Sequence, residues 1–160
     1  MVGKFIKLIF LMTFIFSCKN SIASEVENHG VVIFHPYIPL VAPNSSTASG
    51  YLSIKNKNQY KIFLKQIKTD LSNSMLHKTV IDDSGIVKMT HLDEIEIGAN
   101  SNLDFEPGSY HIMFTRIDRK LVLGDLIAAK LIFNNNIEIA VEFIVVKNKL
   151  EKKGHSKHNH

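Results

Sequence analysis

The sequence predicts an all-β protein, built as a two-sheet Greek-key sandwich or a small barrel. Three observations carry that prediction. Short runs that alternate in polarity, or are apolar throughout, recur along the chain as half-buried and fully buried strands require. The segments between them are rich in Asn, Asp, Ser, Gly and Pro, the residues that turns demand. No run sustains a helical period over four turns.

Taken in order, "GVVIFHPYI" from Gly30 is the first strand, and "APNSSTASG" is a loop leading into the alternating "GYLSIKN" from Gly50. "KNKNQY" then turns the chain into "KIFLKQIKT" from Lys61. "SMLHKTVI" from Ser74 and "GIVKMTHL" from Gly85 read as a hairpin about "DDSG", Asp82 to Gly85. "NLDFE", "YHIMFTRI", "LIAAKLIF" and the long "IEIAVEFIVV" from Ile137 follow, separated by "PGS", "LGD" and "NNN". About eight or nine strands are expected, with no internal repeat.

The 160 residues suffice for one domain with a real core but not comfortably for two. A 45% hydrophobic and 21% charged composition is that of a globular chain. The formal charge of +4 is local, because Lys4, Lys7 and Lys19 precede any acid and the rest carries 16 basic and 15 acidic side chains. That near-neutral remainder has no electrostatic footprint for nucleic acid.

Residues 1–23 read as a cleaved signal peptide. Lys4 and Lys7 form a positive start, Leu8 to Phe16 a short apolar stretch, and "SIA" the small residues before a cut after Ala23. The apolar run falls short of the roughly 20 residues of a spanning helix, which ranks an uncleaved anchor lower. "IFSC" offers a second route, lipidation at Cys18, ranked below cleavage because Phe16 is bulky for that box. Cys18 is the only cysteine, so a chain cut after Ala23 has neither disulfides nor thiolate chemistry. Residues 24–148 form the expected β domain. Residues 149–160 form a basic tail expected to be disordered, where His155, His158 and His160 suit weak Cu(II) binding or simple solubility.

The strand "YHIMFTR" raises the functional question. Alternation places Tyr110, Ile112 and Phe114 on a core face and sends His111 and Met113 outward, where Thr, Lys or Glu would be ordinary. Beyond residue 23 the chain has three methionines, and each lies within two residues of a histidine: Met75 near His77, Met89 near His91, Met113 near His111. Methionine is usually flexible core filler, yet filling gaps does not explain three such pairs. The chemistry that wants this mixture is Cu(I), for which thioether and neutral imidazole are suitable ligands needing no deprotonation. Zinc prefers thiolate, imidazole or carboxylate, and hard cations prefer oxygen.

On these residues the chain resembles the periplasmic copper chaperones of the PCu(A)C type, cupredoxin-like β domains marked by His-x10-Met-x21-His-x-Met. Here His77 is followed by eleven residues and Met89, then twenty-one and His111, then Ile112 and Met113. Only the first interval departs from the pattern, by one residue, which the "DDSG" turn can absorb. "APNSSTASGYLSIKN", "PGSYHIMF" and "LGDLIAAKLIF" resemble further family segments, although "FHPY" stands where a Trp is usual. The resemblance implies one Cu(I) held by His77, Met89, His111 and Met113. It also implies delivery to the copper subunit of cytochrome c oxidase beside Sco-type thiol proteins, in the periplasm and as a monomer.

Nearby residues have plainer readings. His91 suits an auxiliary ligand but more simply a surface histidine, and Met75 a thioether patch but more simply strand-edge packing. His35 beside Pro36 is expected to cap or pack at a strand end; Asp93, Glu94 and Glu96 to be a solvated turn. Competing functions are copper buffering or resistance, and an exported domain that binds a protein partner without metal. A blue-copper carrier lacks its thiolate. No enzyme signature such as Gly-x-Ser-x-Gly, His-Glu-x-x-His or a phosphate loop is present.

Overall fold

The structure is a computed structural model that describes residues 25–148. The signal segment, Cys18 and the tail histidines lie outside those residues. Eleven strands follow one another: β1 (Val26–Asn28), β2 (Val31–Pro39), β3 (Thr47–Asn56), β4 (Ile62–Lys68), β5 (Asn73–Ile81), β6 (Val87–Leu92), β7 (Ile95–Ile97), β8 (Asn102–Phe105), β9 (Tyr110–Thr115), β10 (Leu126–Phe133) and β11 (Glu138–Val146). The all-β expectation holds, and no helix occurs among the described residues. β1 and β7 exceed the expected count because three residues are too few to show a period.

The strands form one continuous sheet in the order β6-β5-β9-β8-β3-β2-β11-β10-β4-β7, with β1 beside β2 and a further pairing of β9 with β3. The sheet rolls into a nearly closed barrel. Most pairs are antiparallel; β11 with β2 and β8 with β9 are parallel. The strand order departs from chain order as a Greek key does, so β5, hairpin partner of β6, is also zipped to β9.

Alternation explains the core. β11 buries Ile139, Val141, Phe143 and Val145 and exposes the residues between them. Leu76 of β5 and Ile112 and Phe114 of β9 join the same core, with Tyr110 half-buried against it. Gly50 on β3 is required by close approach: a Cβ there would stand 2.5 Å from Phe114 Cε2. The Phe114 ring itself packs edge-on to Phe143 at 5.7 Å. Asn56, fully buried, clips the far end of β3 by donating from Nδ2 to the carbonyls of Tyr60 and Gly98, each at 2.8 Å.

His35 is not at a strand end. It sits inside β2 at a register shift between Phe34 and Tyr37, with φ of 50°, exposed. Pro36 cannot donate to a ladder, so the strand bulges there instead of ending.

Candidate metal centre

The β5–β6 hairpin is set by its turn. Gly85 takes φ of 79°, and Asp82 Oδ1 accepts from the Ser84 and Ile86 amides, both at 3.0 Å. Lys88 pairs with the same carboxylate at 2.7 Å and, with those amides, holds it below the usual carboxylate range. Ile81 then faces Val87, which puts Thr79 opposite Met89 and His77 opposite His91.

On its other side β5 meets β9, with His77 opposite His111 and Met75 opposite Met113. Three imidazoles therefore run in a row across β9, β5 and β6. The His77 ring lies 5.6 Å from that of His91 and 5.7 Å from that of His111, both at 75°. The row is flanked along the strands by two different rungs. Met75 and Met113 stand on one side of it, and Met89 with Thr79 on the other.

Exposure along the row follows each strand's place in the sheet. β6 is an edge strand, and its Met89 is 63% exposed. β9 is interior, between β5 and the β3–β8 pair. His111 does face away from Tyr110, Ile112 and Phe114, as alternation requires, but it is only 4% exposed. The expectation that it points into water is corrected accordingly: the ring is buried, with the His77 ring of the neighbouring strand 5.7 Å away.

The electrostatics favour a neutral ring at His77. His111 Nδ1 lies 3.2 Å from the Ser109 carbonyl. A proton on Nδ1 satisfies that contact and leaves the Nε2 lone pair free for a metal. His77 Nδ1 is buried with no hydrogen-bond partner. Burial first, then the neighbouring His111 and His91, pushes its pKa down. A buried imidazole nitrogen without a partner is costly in a purely structural role and fits a waiting metal ligand. Among the described residues, no group of three or more His, Cys, Asp or Glu side chains stands ready to hold an ion. Thioethers are what this face adds to the imidazoles.

His77, His111 and Met113 are brought to adjoining rungs, while Met89 is placed beyond His77 on the edge strand. Met75 and His91, given plainer roles from sequence, share the same face. Their signal was available as i, i+2 spacing to His77 and Met89, but cross-strand register was needed to interpret it. Met75 and His91 also line a cavity of about 120 Å³ with Asp93, whose carboxylate lies 3.6 Å from His91 Nε2. The Tyr37–Tyr51 ring pair, 5.3 Å apart, was not anticipated. Tyr51 follows Ser49 by two residues, and Ser49 is opposite Met113.

An all-β barrel with imidazoles and thioethers gathered on one outer face defines a class, that of the PCuAC-like domains. The chain belongs to the LpqE-like family, named for a lipoprotein, whose model matches residues 31–145. Among solved structures, the apo PCuAC domain from PmoF1 superposes with a TM-score of 0.69 at 15% identity, covering 78% of this chain and 100% of that one. The copper-bound PCuAC domain from PmoF2 gives 0.67 at 17%, covering 78% and 99%. The Cu(I) form of DR1885 from Deinococcus radiodurans gives 0.59 at 22%, covering 82% and 85%. These likenesses show the fold. An uncharacterised Rickettsia prowazekii (strain Madrid E) protein, RP573, is 32% identical over 95 residues, 58% of this chain and 52% of its own length. The match thus spans about half of that relative.

Proposed function

We propose that this protein is an exported Cu(I) carrier, a chaperone and not an enzyme. One observation carries the reading: the row His111–His77–His91, with methionines on the rungs beside it and a buried, unpartnered nitrogen on its central ring. Structures of its fold include copper-bound domains, among them the PmoF2 domain and Cu(I)-DR1885. The motif implies His77, Met89, His111 and Met113 as the ligand set. Soft thioethers favour Cu(I) over zinc or hard cations and let the ion leave by ligand exchange. The family name and the basic-apolar segment before Ala23 support export to the periplasm, by cleavage or with Cys18 lipidated. The recipient proposed is the copper subunit of cytochrome c oxidase, with Sco-type proteins as co-workers and the carrier a monomer.

Anaerobic Cu(I) titration of the purified protein against a competing chelator tests the carrier reading. The expected result is one tightly held ion per chain, lost when His77 and His111 are both changed to Ala. Several ions of similar affinity would favour a buffer instead, and no uptake would favour a protein-binding domain.

A further inference from the structure

We propose that one end of the barrel docks on an anionic lipid bilayer. The surface is formed by the loop between β9 and β10, the start of β10, the end of β11 and the lysine-rich chain that leaves β11. Four aliphatic side chains meet there. Val122 and Leu123 on the loop and Leu126 and Ile144 on the strands are all exposed, Leu126 by 58%. Leu126 is directly opposite Ile144 in the β10–β11 ladder. The Gly124 amide donates to the Val145 carbonyl at 2.9 Å, which fastens the loop to the same strand end. Scattered surface aliphatics are ordinary, but a contiguous group marks a place where something binds.

The loop is built to hold these side chains out. Asp125 Oδ2 accepts from Arg119 Nη1 at 3.0 Å and from the Val122 amide at 3.1 Å. Leu121 turns into the core, which leaves Val122 and Leu123 projecting. Arg116, Arg119 and Lys120, exposed on the same loop, outnumber its acids Asp118 and Asp125.

Charge selects the occupant. β11 ends here, with Val146 opposite Pro39 and its carbonyl accepting from the Leu40 amide at 2.8 Å. The chain that continues carries Lys147, Lys149, Lys152, Lys153 and Lys157 against Glu151 alone. Peripheral attachment strengthens with buried apolar area and with the attraction of basic residues to anionic headgroups, and this end supplies both. A second copy of the chain fits less well. A stable dimer buries about 800 Å² on each partner, more than four side chains provide, and it would bring two basic tails together.

Docking also fixes an orientation. β5 runs from Asn73, opposite Thr115 where the loop begins, to Lys78, opposite Tyr110. Its turn into β6 at Asp82–Gly85 therefore stands at the other end of the barrel. The bilayer-bound protein presents that hairpin to solvent.

The test mixes the exported protein, cut after Ala23, with vesicles of phosphatidylglycerol and phosphatidylcholine in equal parts, and separately with vesicles of phosphatidylcholine alone. Sedimentation reads the bound fraction. The protein should bind the anionic vesicles, lose that binding in high salt, and ignore the neutral ones. Val122→Ser/Leu123→Ser alters exposed side chains only, so its urea midpoint should match wild type. Its affinity for anionic vesicles should fall about tenfold. Beyond residue 23 the chain has no cysteine, so an environment-sensitive dye on Val122→Cys or on Ile86→Cys reports which end meets lipid. The dye should shift to the blue at position 122 and not at position 86. Wild-type protein that stays unbound, a double Ser variant that binds as tightly as wild type, or a blue shift at 86 instead of 122 would overturn the proposal. So would a dimer in analytical ultracentrifugation that the double Ser variant abolishes, which would give the patch to a second copy.

Discussion

His77 illustrates how packing alone sets the protonation of one residue. Its ring is flanked by two others, and its Nδ1 is buried and unpaired. Burial and the neighbouring imidazoles depress its pKa below the ordinary value of about 6.5. The neutral form therefore prevails in the folded protein at a pH where the unfolded chain already takes up a proton. Stability from this group is intact above about pH 6.5 and declines as pH falls from there toward the folded pKa. His77→Gln should flatten the fall in urea midpoint between about pH 7 and pH 5, and NMR titration of the metal-free protein should place His77 below the ordinary histidine value. A His77 that titrates above that value would contradict this account of the ring. Asn56 makes a second residue-scale case. Its amide donates to the Tyr60 and Gly98 carbonyls and its Oδ1 accepts from the Asn58 amide, so Asn56→Leu should cost about 2–4 kcal/mol in urea unfolding as these groups lose that partner. The sequence shows an Asn closing a strand, but its partners, some forty residues away at Ile97 and Gly98, are contacts of the folded chain.

At the scale of elements, strands were legible because alternation is local. "LIAAKLIF" coincides with β10, and "IEIAVEFIVV" covers β11. The His77 and His111–Met113 pairs were equally legible as residues on strands. What spacing does not encode is which strand lies beside which. β5 and β9 are separated in the chain by β6, β7 and β8, and their pairing is a product of the whole barrel. That long-range pairing is why Met75 reads as edge packing in the sequence and as the neighbour of Met113 in the fold. The close approach of Gly50 to Phe114 locks the same region, since β3 pairs with β9 through Gly50 and Ile112. Gly50→Ala must displace a ring already packed on Phe143. A loss of about 1–3 kcal/mol is expected, visible as a lower denaturation midpoint. An unchanged midpoint would mean that the β3–β9 contact has slack.

Across the whole molecule, the two faces of the sheet divide the labour. The inner face holds the core of Phe114, Phe143 and the aliphatic residues around them, which is where stability resides. The outer face of β9, β5 and β6 holds the His and Met side chains, and exposure increases from His111 at the interior strand to Met89 at the edge. β6 lies at one end of the strand order, and Val87 and Met89 on it are exposed together with Ile81 and Ile86 at the hairpin tip. Few buried contacts hold that strand, so it should open locally at lower cost than β3 or β11. Amide hydrogen exchange should therefore be faster on β6 than on β9 in the metal-free protein. The proposed carrier would gain from that arrangement, because the edge strand beside the paired β5 and β9 remains free to admit incoming ligands. Protection of β6 on Cu(I) binding would mean that the hairpin closes over the metal and brings Met89 with it.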